Sequence, residues 1–123
     1  MDIEEAPFEP VPYLYYCDPL EGKDKLGNQI IPSMYVDISS EIDMKENMLS
    51  CHLSQADWLM THHQGNEYIM AMKRFAKKRG NEIQVCYAEG FRQHLGHGFP
   101  QENILNNLLP DKVIFKDMTV NTL

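Results

Sequence analysis

A length of 123 residues fits one domain, and 43% hydrophobic with 24% charged residues is the balance of a chain that folds. The net charge of −7 is uneven: residues 1–50 carry eleven Asp/Glu against three Lys/Arg, or −8, and residues 51–123 carry seven against eight, or +1. Such acidity argues against binding a phosphate backbone, and no stretch approaches the eighteen apolar residues of a membrane span.

Residues 1–12 are acidic and hold Pro7, Pro10 and Pro12, so they read as an extended arm ahead of a unit over residues 13–110. Tyr13-Leu14-Tyr15-Tyr16-Cys17 has the aromatic composition of a short strand, stopped by Asp18-Pro19. Leu20 to Pro32 is a polar loop. Its Gly22 and Gly27 copy the spacing of a phosphate loop, but Asn28-Gln29 stands where Lys and Ser/Thr are required, which removes that reading.

Ser33 to Ile38 alternates with period two, Met34, Val36 and Ile38 to one side, which predicts a half-buried strand. Ser39 or Ser40 can cap a helix whose first turn holds Glu41 and Asp43, and no Gly or Pro interrupts the chain from Glu41 to His63. One long helix is expected, with Ile38, Ile42, Leu49, His52, Ala56 and Leu59 on its apolar stripe, Met48 and Met60 widening it, and His52 therefore facing inward. Gln64-Gly65 reads as its end. A second helix follows from Asn66, apolar at Tyr68, Ile69, Met72, Phe75 and Ala76. Lys73, Arg74, Lys77, Lys78 and Arg79 form a solvated basic face before Gly80.

Ile83, Val85 and Tyr87 alternate with Gln84, Cys86 and Ala88, which predicts a strand delivering Glu89-Gly90-Phe91-Arg92 at its end. A turn-rich stretch, Gly96-His97-Gly98-Phe99-Pro100, leads to a short helix over 101–109 and a strand-like or loose tail over 111–123. The expected class is α/β or α+β, short strands with two main amphipathic helices. Cys17, Cys51 and Cys86 are odd in number and far apart, the pattern of reduced, partly buried thiols in a cytoplasmic protein. The N-terminus, with no basic region before an apolar run, agrees with that compartment.

Residues able to carry chemistry are few. His52 and His63, eleven apart on one helix, would stand ~16 Å apart along its axis and cannot share an ion. His94-x-x-His97 is the one tight pair, but the glycines around it disfavour a helix and no third ligand with a supporting carboxylate accompanies it, so no metal site is assigned. No Ser lies in G-x-S-x-G, and Cys51 and His52 point about 100° apart on a helix. What remains is a polar corner of Tyr87, Glu89, Arg92 and His94.

The order of four segments resembles the C-terminal portion of PIG-L/LmbE-type proteins over about residues 10–110: Met34-Tyr35-Val36-Asp37-Ile38-Ser39, then Lys45 through His52-Leu53-Ser54-Gln55, then Tyr68 to Arg74, then Tyr87-Ala88-Glu89-Gly90-Phe91-Arg92. That resemblance implies a Rossmann-like fold and zinc-dependent hydrolysis of the N-acetyl amide of glucosamine-containing substrates. In the family the metal is held by a P-H-P-D-D-type motif and a later H-P-D-H-type motif. Neither occurs in this sequence, so zinc belongs to the full-length family and no metal ligand or cofactor is assigned here. A tyrosine that donates to the developing oxyanion in some members corresponds to Tyr87; a strand-end tyrosine bonded to backbone is the alternative. His52 is expected as a core or supporting histidine, and Glu89, Arg92 and His94 as substrate-binding or supporting groups, with a Glu89–Arg92 ion pair at the site rim. Two functions follow. The chain is part of an N-acetyl-sugar deacetylase, inactive alone and binding its substrate only when completed by an N-terminal half, with a tendency to self-associate. The alternative is a non-catalytic interaction domain, or the trans-complementing half of a split deacetylase.

Overall fold

The structure, a computed structural model, describes residues 11–19, 22–55 and 62–116, the side chains of 54–55 and 62–64 excepted. The architecture is α+β. Four strands, β1 (Tyr15–Cys17), β2 (Met34–Asp37), β3 (Ala88–Gln93) and β4 (Val113–Ile114), form one sheet in the order β1-β3-β2-β4. All three pairings are antiparallel, so the described strands show none of the parallel pairing of a Rossmann-like sheet. Three helices, α1 (Ile42–Gln55), α2 (His62–Glu82) and α3 (Ile104–Leu108), accompany it. No helix among the described residues is long and apolar enough to cross a membrane.

The two inner strands organise the core. In β2, Met34, Tyr35 and Val36 are all buried, so both sheet faces are covered rather than the one face that the alternation predicts. Met34, Val36, Ile38, Ile42, Met72, Ala76 and Val113 form a continuous apolar cluster. On the Met34 face the Asn103 carboxamide meets the Tyr15 hydroxyl at 2.7 Å and the Met34 sulfur at 3.2 Å. On the Tyr35 face the phenol donates to Glu82 of α2 at 2.6 Å. The stretch read as a strand-like tail contributes β4, where Val113 is buried and pairs with Val36; most of the acidic arm, and residues 117–123, lie outside the described residues.

Several local expectations are corrected. The single helix expected over 41–63 is two elements, α1 and α2, with residues 56–61 between them outside the described residues, so His52 and His63 belong to different helices. Helix α2 begins at His62, which puts Gln64-Gly65 inside it; one helical glycine costs about 1 kcal/mol, and a helix of 21 residues with a packed Met72/Ala76 face absorbs that. Tyr68 and Met48, both placed on apolar stripes, are 49% and 66% exposed, and Met60 lies outside the described residues. The expected strand at 83–88 starts later. Ile83 and Val85 both donate to the Gly80 carbonyl, and Gln84 takes a φ of 64°, so the chain reverses there before the ladder begins at Ala88.

Neither expected serine cap forms in the usual way. Asp37 accepts the Ser39 backbone N–H at 3.0 Å across a 3-10 turn, Ser39–Glu41, that leads into α1, and the Ser39 hydroxyl instead reaches Tyr87. Burial first opposes the Asp37 charge, but the hydrogen bonds from Ser39 outweigh it and lower its pKa. The three cysteines, expected to be partly buried, are exposed.

Arg79, read as part of the solvated basic face, is 5% exposed. Its guanidinium donates to Asp18 at 2.9 and 3.4 Å, to both Glu82 carboxylate oxygens at 3.0 Å and to the Ile30 carbonyl at 3.0 Å. Burial opposes its charge, and the bond and charge of Asp18, with Glu82, outweigh that and raise its pKa. The cluster fastens the loop after β1 to α2, with Gly90 of β3 packed beneath the loop's Pro32 and Asp18.

Candidate functional site

Strand β3 carries most of the sequence-predicted site, and its pleat divides it. Successive side chains of a strand point to opposite faces. Glu89 and Arg92, three apart, therefore cannot form the expected ion pair. Glu89 instead meets Lys45 of α1 at 2.6 Å, while the Arg92 guanidinium lies 5.5 Å from the centre of the Tyr16 ring, its partner in the β1–β3 register. The polar corner read from the sequence is thus two separate surfaces.

The first surface gathers Tyr87, Glu89, Lys45 and Lys73. Tyr87 is pinned through its backbone: its N–H donates to the Ser39 hydroxyl at 3.1 Å and its carbonyl accepts from Ile38 at 3.0 Å. Its half-buried ring packs against the core cluster, and none of the described residues hydrogen-bonds its hydroxyl. The Lys73 ammonium is near enough to feel the phenol and pairs with Glu46 at 2.6 Å; that hydrogen bond comes first among the causes that raise the Lys73 pKa. Beside Lys45 and Glu89 lies a cavity of about 190 Å³ with Cys17, Met72, Ala88 and Phe91 in its wall. It is smaller than the roughly 300–1,000 Å³ of usual small-molecule pockets, so it does not hold a sugar conjugate unaided.

The second surface gathers Tyr16, Arg92 and His94 on the opposite face of β3. The Tyr16 hydroxyl meets His94 Nδ1 at 2.7 Å, and Phe99 braces the imidazole edge-on at 4.2 Å between ring centres. The sequence reading missed Tyr16 as a site residue because its partner lies 78 positions away, a pairing that only the sheet register supplies. It missed Lys45 as Glu89's partner because only the packing of α1 beside β3 brings the two together.

His52 joins neither surface. It is exposed on α1, not inward as its helical phase implied, because α1 buries a narrower stripe at Ile42 and Leu49. His94 and His97 do not lie on a helix, and His94 spends Nδ1 on Tyr16. Among the described residues no three His, Cys, Asp or Glu side chains are placed to hold a metal ion, and no step is derived through zinc.

No family model, curated protein or solved structure matches the chain.

Proposed function

We propose that this chain is the C-terminal portion of a PIG-L/LmbE-type deacetylase of Rossmann-like descent, acting on N-acetyl-sugar substrates only when residues outside these 123 supply the metal, and inactive by itself. The observation that carries this reading is the meeting of the four resembling segments. Val36 pairs with Glu89 and Met34 with Phe91 across β2 and β3. Ser39 bonds to the Tyr87 backbone, Lys45 to Glu89, and Lys73 of the third segment to Glu46 of the second. Segments spread over sixty residues thus pack against one another.

On the first surface Tyr87 is the chain's own chemical group. A phenol whose hydroxyl no described residue engages can donate to an amide oxygen as it becomes an oxyanion, and loss of one such donor costs about 10²–10³ in rate. Glu89 and Lys45 hold the adjoining wall by their ion pair.

The alternative, an interaction domain or the trans-complementing half of a split deacetylase, is favoured by one feature. Met44 and Met48, one turn apart on α1, and Met70 on α2 are 58%, 66% and 58% exposed, an apolar surface suited to a partner.

The test is complementation. The chain is co-expressed with a segment bearing the P-H-P-D-D and H-P-D-H motifs, and zinc-dependent release of free amine from an N-acetylglucosaminide is followed. Release is expected from the pair and from neither part alone, with Tyr87→Phe lowering kcat about a hundredfold. A pair that associates without releasing amine supports the interaction domain, and a pair that neither associates nor releases amine overturns both readings.

A further inference from the structure

Four lysines and arginines among the described residues are buried or half-buried: Lys45, Lys73, Arg79 and Arg92. Three have a carboxylate at 2.6–2.9 Å, namely Glu89, Glu46 and Asp18. Arg92 has none. Its guanidinium lies over Tyr16, and among the described residues no acceptor takes any of its five donors. The carboxylate that it influences, Asp24, is occupied by its own turn, accepting the N–H groups of Leu26 and Asn28 at 2.9 Å. Withdrawing a guanidinium from water is unfavourable unless an acceptor replaces the lost hydration, so an unpaired one, held in place, is poised for an acceptor from outside.

Its neighbours are arranged for the same task. Arg92 and His94 are two apart along one strand face, ~6.6 Å along the chain, and both flank the Tyr16 ring. The Tyr16 hydroxyl and Nδ1 share a hydrogen bond of 2.7 Å, which leaves Nε2 as the ring nitrogen that Tyr16 does not engage. Phe99 fixes the ring's orientation. Gly96 passes close beside it: a Cβ there would stand 2.8 Å from Nε2, so only glycine leaves that nitrogen uncrowded. The result is a forked cation and a fixed imidazole nitrogen side by side, with no acceptor from the described residues bonded to the guanidinium.

We propose that Arg92 and His94, with Tyr16 holding the imidazole, form a binding site for the oxyanion of a small-molecule ligand, a carboxylate or a phosphate group. A guanidinium matches two oxygens of either group, and in the tautomer in which Nδ1 accepts from Tyr16 the Nε2–H supplies a further donor. This assignment does not depend on the deacetylase reading and stands or falls by binding alone.

The experiment titrates the full ¹⁵N-labelled chain with sodium phosphate, sodium acetate and, at matched ionic strength, sodium chloride, following the amides of residues 92–95 and the His94 imidazole by NMR. Saturable shifts centred there are expected with phosphate or acetate and not with chloride, and the stronger of the two identifies the group. Arg92→Gln is expected to weaken binding about tenfold or more, since a charge-assisted hydrogen bond contributes about 1.5–3 kcal/mol. Lys77→Gln, on the exposed face of α2, should leave it unchanged. Gly96→Ala, which crowds Nε2 while leaving Arg92 in place, should weaken binding and keeps the test decisive if Arg92→Gln loses its dispersed spectrum. Shifts equal to those in chloride, or equal affinity in the wild type and in whichever of Arg92→Gln and Gly96→Ala stays folded, would overturn the proposal.

Discussion

Replacing Arg79 with methionine keeps most of the side chain's volume and removes the cation that Asp18 and Glu82 share. The Asp18 side chain is 9% exposed and that of Glu82 24%, so water reaches the second far better than the first. Stranding a buried charge costs about 3–5 kcal/mol, a large part of the roughly 5–15 kcal/mol that holds a domain together. At a urea slope of about 1.5 kcal/mol/M, the unfolding midpoint should fall by about 2–3 M, read by far-UV circular dichroism at pH 7. Adding Asp18→Asn to Arg79→Met removes the stranded charge and should recover at least about 1 kcal/mol, although Asp18→Asn in the wild type removes an ion-pair partner and destabilises. A drop under about 0.5 M for Arg79→Met, or no recovery in the double variant, would refute the view that this buried cluster fastens the loop to α2.

Gly90→Ala would put a Cβ 2.5 Å from Pro32 and 2.7 Å from the Asp18 carboxylate, and overpacking of this kind should cost about 1–3 kcal/mol in the same urea assay. Asn103 caps α3 by accepting the Asn106 N–H at 3.2 Å and also accepts from Tyr15, so Asn103→Ala should cost about 1–2 kcal/mol. Lys45→Met, at an ion pair about one third exposed on both sides, should cost no more than about 1 kcal/mol and respond to salt, which separates it from the Arg79 cluster. The lowered pKa of Asp37 means that the folded state favours its ionised form. Its contribution is therefore present above the ordinary aspartate value of 3.8 and lost as pH falls below it, so the difference in midpoint between wild type and Asp37→Asn should shrink between pH 7 and pH 3.

Local pattern made much of the framework legible. Aromatic residues before Asp18-Pro19, the alternation from Ser33, the helix-forming run from Glu41 and the apolar spacing of Met72 and Ala76 each point to an element that exists. Boundaries moved where tertiary contacts override local preference. The alternating Ile83 to Tyr87 is spent on a reversal because α2 continues past Gly80 to Glu82, and Gly65 is carried inside a helix that packing sustains. Arg79 looked like one more cation near a helix end. Its burial depends on Asp18, 61 positions earlier, which no helical pattern registers.

The candidate site was legible as residues and not as geometry. Tyr87, Glu89, Arg92 and His94 stand close in sequence, which invites a single corner, whereas the two-residue period of the strand sends Glu89 toward Lys45 and Arg92 toward Tyr16. Sheet register, with β1 and β2 on either side of β3, decides which partners each receives.

Zinc content and hydrolysis by the purified chain, measured together, test the central claim most directly. Dialysed against excess zinc and then against buffer, the chain is expected to retain far less than one zinc per molecule and to release no amine from an N-acetylglucosaminide. One zinc retained per chain, with amine release that a chelator abolishes, would contradict it.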